Sequence, residues 1–372
     1  MKIIVVGGGI MGLSTAWALT KRGHAVTLFE RGAIPNPLGS SVDQHRIIRH
    51  AYGAALGYTR MVDMAFAAWE TLWRDLGQRL YVETGALAID SERMGWADAT
   101  RASLRAAGVA FDDFSKQQVA ERFPLFRTDE IDGGLFTPQG GALLADRIVE
   151  ALGEWLAGHG ASVRARTPVK DIDPELATVI LEDGVRERAD QVVVAAGAWV
   201  TRLLPRLANR VTPSRQIVTY LKPPATLLAA WRKGPVLLDI SHARGFYLLP
   251  PVAGTGLKVG DHVFSLIGEP DRDREPSKAE AETLLALCRK RLVDFDQYRL
   301  DFAKTCFYTV EPDERFIVEK LGRRGWVLTG FSGHGFKFGA VIGQRMAATL
   351  DGEWTAEQMT RWAAGNATGA AS

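Results

Sequence analysis

The chain has 372 residues, 47% hydrophobic and 24% charged, which is enough for two domains of ordinary globular composition. Its 45 Lys and Arg nearly balance its 43 Asp and Glu, and the resulting charge of +2 argues against a nucleic-acid-binding protein, which usually shows a concentrated basic face. Two cysteines, Cys288 and Cys306, fit neither a disulfide framework nor a zinc cluster, and no apolar run is long enough to span a bilayer, so we expect a cytoplasmic protein that binds neither metal nor membrane.

The chain opens with a predicted strand, a glycine-rich turn, a helix and a second strand. Residues 3–6 form a short run rich in β-branched side chains, which is typical of a buried parallel strand. The segment 7–12 contains G-x-G-x-x-G, apolar residues at helical spacing follow over 10–22, and 25–29 is the next strand. This order is that of a dinucleotide-binding unit.

Each residue type in the opening unit has a physical role in that reading. Gly7 permits the tight turn, Gly9 lets the backbone approach a pyrophosphate, and Gly12 lets the helix pack on the strand. The start of the helix supplies free N–H groups to the phosphates. Glu30 ends the second strand, where a carboxylate can bind a ribose hydroxyl, so FAD or NAD is favoured over NADP.

The middle of the chain mixes loops, helices and strands. The predicted elements, in chain order, are a loop over 35–41, an apolar RIIR segment within 45–52, a helix over 61–76, a mixed stretch over 80–141, a helix over 146–159, strands over 162–169 and 190–196, and several strands with one helix near 277–293 over 211–310.

The last part of the chain returns to the opening pattern. A strand over 326–329 leads into a glycine-rich turn at 330–335 and then a helix to about residue 350. We therefore predict one nucleotide-binding domain interrupted by a second domain. The first comprises residues 1–79, 142–210 and 311–372, and the second, which would bind the substrate, comprises 80–141 and 211–310.

Two later segments favour FAD over NAD. DQVVVAAGAW, at 190–199, looks like a second dinucleotide signature, in which a strand ends in a glycine beside the cofactor. In GFSGHGFKFGA, at 330–340, a helix N-terminus and Lys337 are placed to stabilise the negative charge of reduced flavin, although a solvated lysine on a crossover would have the same sequence.

With these motifs in place, the chain resembles the monomeric sarcosine oxidase and N-methyl amino acid oxidase family, among the D-amino-acid-oxidase-like flavoproteins. The resemblance runs nearly end to end and is carried by GGGIMGLSTAWAL, GSSVDQHRIIRHAYG, GLKVGDHVF, CFYTVEPDERFIVE and GFSGHGFKFGA. It implies an α/β fold: a Rossmann-like FAD-binding domain of the glutathione-reductase type, interrupted by a substrate domain built on a mixed β-sheet.

The resemblance also implies roles for residues at matching positions. Cys306 would carry FAD covalently through the flavin 8α-methyl group, and Arg46 would lie against the flavin ring. Arg49 and Lys337 would bind the substrate carboxylate from two sides. Lys258 would activate O2, and His262 and Tyr247 would line the substrate pocket. The remaining implied cofactor contacts are Ile10, Met11, Arg31, Ser40, Val169, Gly197, Trp199, Gly333, Gly335 and Phe336.

The implied activity is oxidation of a C–N bond in a small secondary amino acid, N-methyl or cyclic, by hydride transfer to flavin N5, with O2 giving hydrogen peroxide. A monomer is expected from the resemblance. Two alternatives stay open: a dehydrogenase of an amino or 2-hydroxy acid that passes electrons to another acceptor, and a flavin-carrying subunit that needs a partner. The chain departs from the family at Ser41 and Val42, where relatives often have histidines.

Overall fold

The computed structural model describes residues 1–90, 95–241 and 244–366. The described α-helices are α1 (Ile10–Lys21), α2 (Leu56–Leu76), α3 (Trp96–Ala107), α4 (Lys116–Arg122), α5 (Ala145–Gly158), α6 (Val200–Leu203), α7 (Leu228–Trp231), α8 (Lys278–Arg291), α9 (Gly339–Leu350) and α10 (Ala356–Ala363).

The strands form four sheets. In chain order they are β1 (Lys2–Val6), β2 (Ala25–Phe29), β3 (Arg46–Ile48), β4 (Tyr81–Glu83), β5 (Ala86–Asp90), β6 (Asp112–Ser115), β7 (Gly133–Thr137), β8 (Gly141–Leu143), β9 (Ser162–Arg164), β10 (Val169–Asp173), β11 (Thr178–Leu181), β12 (Arg186–Arg188), β13 (Gln191–Val194), β14 (Thr212–Lys222), β15 (Val236–Asp239), β16 (Phe246–Leu249), β17 (Leu257–Asp261), β18 (Arg299–Val310), β19 (Ile317–Leu321) and β20 (Gly325–Thr329).

The first sheet has the order β19-β20-β13-β1-β2-β9 and is parallel except for the edge strand β19. Residues 3–6 of β1 and 192–194 of β13 are apolar and buried because both faces of the sheet are covered, as expected for a parallel sheet. Helices α1, α2, α5 and α9 share the hydrophobic core on one face, and the antiparallel sheet β10-β11-β12 shares the core on the other.

The second large sheet has the order β18-β14-β17-β16-β15-β5-β7-β6 and is mixed, because β5 and β15 run parallel while the other pairs are antiparallel. One face, with Leu248, Leu257 and Val259, packs on α8. Residues directly opposite each other on antiparallel strands share a face. The pairs Tyr247↔Gly260, Lys258↔Tyr220 and Cys306↔Gln216 therefore put Tyr247, Lys258 and Cys306 together on the other face.

A small sheet, β3-β8-β4, lies between these parts and carries Arg46 on its edge strand. The predicted fold class is confirmed: a parallel, helix-covered sheet is combined with a mixed sheet inserted between its strands. We retain as a proposal the division into 1–79, 142–210 and 311–372 on one side and 80–141 and 211–310 on the other.

Two predicted elements were wrong in extent. The expected strand over 162–169 is two strands, β9 and β10, because Arg166 adopts a positive φ and Pro168 follows, which turns the chain. The helix expected from residue 61 begins at Leu56. Gly57 is needed inside it because a Cβ there would lie 1.8 Å from the Gly365 carbonyl oxygen. Among the described helices, none is both long and apolar enough to cross a bilayer.

Candidate functional site

The glycine-rich turn after β1 is packed so closely that no side chain fits at Gly7 or Gly12. A Cβ on Gly7, whose φ is +114°, would lie 2.3 Å from the Ala195 oxygen, and one on Gly12 would lie 1.9 Å from the Gly7 oxygen. Helix α1 therefore begins directly against the ends of β1 and β13. The N-cap residue of this helix, Gly9, has no side chain that could cap it. The Ser41 hydroxyl instead accepts a hydrogen bond from the Ile10 N–H at 2.9 Å.

The carboxylate at the end of β2 is already part of this turn. Glu30 accepts hydrogen bonds from the N–H groups of Gly8 (2.7 Å) and Gly32 (2.8 Å) and from the Asn36 side chain (2.9 Å). Three bonds leave one of a carboxylate's roughly four acceptor positions for a ribose hydroxyl. Asn36 was not predicted, because an asparagine in a proline-rich loop is typical of turns in general.

A cleft of about 330 Å³ runs from this turn to the glycine-rich turn before α9. Fourteen residues predicted to bind the cofactor line it: Gly7, Gly9, Ile10, Met11, Glu30, Arg31, Ser40, Arg46, Val169, Gly197, Trp199, Gly333, Gly335 and Phe336. Segments far apart in sequence thus meet around one cavity. The lining residues that sequence reasoning missed include Lys170, Arg202 and Tyr308.

The other three predicted cofactor residues lie behind the lining. Gly12 lies where α1 packs on β1, and Lys337 follows the lining residue Phe336 in the short helical turn Phe336–Phe338. Cys306 is buried on β18, its Sγ 3.9 Å from the Arg46 Nη2 and 4.0 Å from the Ser40 oxygen, and both of those residues line the cleft. Cys306 is therefore adjacent to the cleft, as a residue bonded to its occupant must be.

A cluster of cations lies beside the second glycine-rich turn. The Lys337 Nζ donates to the Tyr52 hydroxyl at 2.9 Å and to the His334 carbonyl at 2.8 Å. The Arg49 guanidinium lies 4.6 Å from the centre of the Tyr52 ring, and its Nη1 is inaccessible to solvent and has no hydrogen-bond partner. In residues 1–90, 95–241 and 244–366, neither cation forms a salt bridge. Tyr52, which joins them, was not predicted.

The electrostatics of this cluster favour an anion. Burial and the nearby Arg49 charge hold the pKa of Lys337 well below its usual value, and burial lowers the pKa of Arg49. Burial, followed by the Lys337 charge, also holds the pKa of the His334 ring well below its usual value. Two poorly solvated cations without a carboxylate at salt-bridge distance are stabilised by a bound anion.

Tyr247 and His262 lie side by side behind Tyr308, a lining residue of the cleft. Their rings are 5.6 Å apart, and the Tyr247 hydroxyl is 3.5 Å from that of Tyr308, which lines the cleft. Part of the His262 surface is open, yet the surrounding protein and the Arg49 charge lower its pKa to about 4, so the ring is neutral at physiological pH. Gly260 makes room here, because a Cβ on it would lie 2.5 Å from the Tyr247 hydroxyl oxygen.

Lys258 is 1% exposed and does not line the cleft. Its Nζ donates to the Asp43 carboxylate at 2.6 Å, and the same carboxylate accepts from the Arg46 guanidinium and the Tyr220 hydroxyl. Burial alone would raise the pKa of Asp43, but Lys258 and Arg46 hold it well below its usual range. Neither Asp43 nor Tyr220 was predicted.

The residues present fit FAD on three structural observations. The turn after β1 has the tight backbone that lets a pyrophosphate approach the start of α1, and Trp199, with the Arg31 guanidinium 4.8 Å above its ring, bounds the same cleft. Arg49 and Lys337, with no carboxylate at salt-bridge distance among the described residues, lie beside the second glycine-rich turn, and Cys306 lies beside Arg46 of the cleft. Within the described part of the chain, no group of three or more His, Cys, Asp or Glu residues is placed to hold a metal ion.

Comparison with known proteins agrees with this geometry. The model of the family described as FAD dependent oxidoreductase matches residues 2–349. The chain is 28% identical over 356 residues to the monomeric sarcosine oxidase of Bacillus sp. (strain NS-129), covering 93% of this chain and 91% of that one. It is 27% identical over 352 residues to the N-methyl-L-tryptophan oxidase of Yersinia pestis (strain Pestoides F), covering 92% of each.

Solved structures show the same fold. NikD, an unusual amino acid oxidase essential for nikkomycin biosynthesis, superposes in its open form with a TM-score of 0.82 at 23% identity, over 97% of this chain and 96% of that one. The L-proline dehydrogenase from P. horikoshii superposes with a TM-score of 0.85 at 20% identity, over 98% and 96%. The resemblance inferred from the motifs is confirmed at the level of the family.

Proposed function

The chain belongs to the FAD-dependent oxidoreductase family, and on this premise we propose that it oxidises the C–N bond of a small secondary amino acid, N-methyl or cyclic. FAD, when bound, supplies the hydride acceptor at N5 and the centre that reacts with O2 to give hydrogen peroxide. Relatives named for sarcosine and N-methyl-L-tryptophan oxidation support this substrate class.

The observation that carries the proposal is a pair of poorly solvated cations, Arg49 and Lys337, with no carboxylate at salt-bridge distance among the described residues. The unpartnered Arg49 Nη1 can donate to a carboxylate oxygen, and Lys337 bears a second positive charge on the same cluster around Tyr52. A carboxylate is the anion that every amino acid brings. Arg binds it with bidentate geometry, and Lys binds it as a point charge.

The same cluster prepares the amine. A secondary amine gives up hydride from its α-carbon or methyl group only when its nitrogen is unprotonated, since the lone pair stabilises the developing cation. The positive charges of Arg49 and Lys337 and the loss of water both lower the pKa of a bound ammonium. His262, neutral at physiological pH, adds no competing charge, and the predicted site residues include no strong base for removing a carbon-bound proton.

We propose that Cys306 and Arg46 fix the flavin end of the cofactor. The Cys306 sulfur lies 3.9 Å from the Arg46 Nη2 beside the cleft, and a cysteine sulfur is the nucleophile that a bond to the 8α-methyl carbon requires. Lys258 would activate O2 through its positive charge. The cytoplasmic location and the monomeric state also remain proposals.

A dehydrogenase is the second candidate, and one observation favours it. Lys258 is paired with Asp43 and lies behind the cleft wall, so its charge is partly compensated where O2 would react. An enzyme of this fold, the L-proline dehydrogenase, is named for that chemistry. A flavin-carrying subunit that needs a partner is the third candidate. Full turnover by a protein that gel filtration shows to be a single chain would eliminate it.

The test is anaerobic. The purified yellow protein is mixed in turn with sarcosine, N-methyl amino acids, proline and pipecolate while the visible flavin band is followed. Bleaching by one of them, reversed within seconds by air with release of hydrogen peroxide, is the expected result. Bleaching that air does not reverse would favour the dehydrogenase. Absence of bleaching with all of them would contradict the proposed substrate class.

A further inference from the structure

Asp43 is the centre of a buried network that no motif of the sequence announces. Its Oδ2 accepts from the Lys258 Nζ at 2.6 Å and from the Arg46 guanidinium, and its Oδ1 accepts from the Tyr220 hydroxyl. Lys258 completes its donations at the His45 carbonyl, 3.3 Å away. Three chain segments thus converge on one carboxylate that is 4% exposed.

The network reaches the cofactor cleft through Arg46. That side chain lines the cleft, donates to the Ser40 carbonyl at 2.8 Å, and lies 3.9 Å from the Cys306 sulfur. The Asp43 carboxylate therefore binds two cations: Lys258, which lies behind the cleft wall, and Arg46, which is part of that wall. Its loss would release both.

The charges around Asp43 are unbalanced without it. The titratable and charged groups that face the cluster are Lys258 and Tyr247 from the adjacent strands, Lys304, Cys306 and Tyr308 from β18, Tyr220 from β14, Asp146 from the start of α5, and Arg46 and His45 from the segment after the Ser40 turn. Among them Lys258, Arg46 and Lys304 are cationic, and Asp43 is the carboxylate that bonds the first two. Burial keeps the tyrosines protonated, and burial and Lys258 lower the pKa of His45 to about 3.

We propose that Asp43 is a positioning residue that keeps Lys258 charged and fixes Lys258 and Arg46 at the wall of the FAD cleft. The oxygen-activating role assigned to Lys258 rests on the proposed function, but the role of Asp43 in setting the charge and place of that lysine does not. Asp43 acts through the two cations and touches neither substrate nor cofactor.

Physical chemistry gives the direction of the effect. Burial and then the Arg46 charge lower the pKa of Lys258 to about 8, and the Asp43 carboxylate opposes them. With the carboxylate removed, a buried lysine next to an arginine loses its main stabilising partner and releases its proton at lower pH. Arg46 keeps its proton, because a guanidinium does not lose it at physiological pH.

The first measurement needs no turnover. The visible spectrum of the oxidised, FAD-loaded protein is titrated from pH 6 to pH 10 in the wild type, Asp43→Asn, Asp43→Glu, Lys258→Met and Tyr220→Phe. We expect a transition near pH 8 in the wild type that Lys258→Met abolishes. Asp43→Asn moves it down by at least about one pH unit, and Asp43→Glu restores it.

Tyr220→Phe keeps the proposal testable if Asp43→Asn does not fold. Removing the hydroxyl leaves the carboxylate with one donor fewer, which strengthens its hold on Lys258, so the transition moves to higher pH. A transition that stays in place in Asp43→Asn, or one that does not rise in Tyr220→Phe, would overturn the assignment.

The second measurement separates this inference from the proposed function. The flavin is reduced photochemically, without substrate, and mixed with O2. Asp43→Asn should slow reoxidation by about fivefold or more at pH 8, because a pKa about one unit lower cuts the protonated fraction of Lys258 from about one half to about one tenth, and Lys258→Met should slow it at least as much. The double variant should be no slower than Lys258→Met, because both act through one charge. If neither slows reoxidation while the pH transition still moves, the oxygen role of Lys258 fails and Asp43 stands. If Lys258→Met alone slows it, the role of Asp43 fails and the proposed function stands.

Discussion

Replacing Arg49 by methionine is expected to weaken catalysis while leaving the protein at least as stable. Methionine is unbranched and apolar, so it can fill the space of the arginine stem without a charge. The guanidinium it removes has an Nη1 without a partner and forms no salt bridge within the described residues. The folded protein without substrate therefore loses little that stabilises it.

The magnitude follows from the hydrogen bonds that the guanidinium can donate to a carboxylate. A hydrogen bond to a charged group contributes about 1.5–3 kcal/mol, so a bidentate pair to a carboxylate contributes about 3 kcal/mol or more. Since Lys337 remains in the variant, we take about 3 kcal/mol, which corresponds to a fall of roughly 100-fold in kcat/KM. For stability, losing the cation–π contact with Tyr52 offsets part of the gain from removing a desolvated charge.

The assay compares an acid with its neutral analogue. kcat/KM is measured for whichever amino acid the wild type oxidises fastest and for its primary amide, in the wild type, Arg49→Met and Arg74→Met. Arg74 is exposed on α2 and serves as the matched control. Arg49→Met should lower the value for the acid by about 100-fold and that for the amide by less than about threefold, whereas Arg74→Met should change neither.

Two results would refute this reasoning. An equal loss for acid and amide would mean that Arg49 does not bind the carboxylate. A loss below tenfold for the acid, with Tm and flavin content unchanged, would mean that the buried Nη1 does not reach the substrate.

Three further predictions concern the cofactor and stability. Cys306→Ser should leave the flavin extractable by acid precipitation. Flavin that stays in the wild-type protein pellet but is released from the variant would establish the covalent bond. Flavin released from both proteins would disprove that bond. Gly12→Ala should lower the free energy of unfolding by about 1–3 kcal/mol and leave the protein without flavin, because the new Cβ would lie 1.9 Å from the Gly7 oxygen. The control is Gly158→Ala, whose Cβ would meet no atom within 4 Å. Equal Tm values for the two variants would contradict this prediction. The pKa of His45 is about 3 in the folded protein and 6.5 ordinarily, so between those pH values the unfolded chain binds one proton more than the folded chain. The free energy of unfolding should therefore fall as the pH drops below 6.5, by up to about 1.4 kcal/mol per pH unit. Urea titrations of His45→Gln should show a shallower fall, and a slope identical to that of the wild type would exclude His45 as its cause.

Much of the cofactor cleft could be predicted because its parts are local patterns. The turn at Gly7–Gly12 and the acid at Glu30 belong to a strand–turn–helix unit whose spacing is set by close packing, and that packing is visible in the structure. The turn before α9 follows the same logic. Residues contributed by such a unit can be located without knowing what it packs against.

Asp43 and Tyr52 could not be found in this way. Asp43 precedes Lys258 by 215 residues in the chain, and a lone aspartate in a loop is usually a turn residue or a solvated charge. Tyr52 acquires its position between Arg49 and Lys337 only when the turn before α9 is in place. Both depend on contacts between segments far apart in the chain, which sequence periodicity does not encode.

The cleft also constrains when the protein can acquire its cofactor. Its walls include residues within 6–46 and residues within 308–336, and the Ser40 hydroxyl donates to the Phe307 carbonyl across that interval. A nascent chain emerges with its N-terminus first, so the turn at residues 7–12 exists long before residues 308–336, which contribute the other part of the cleft. Cofactor capture therefore belongs to the end of synthesis, and truncated chains should leave the ribosome colourless.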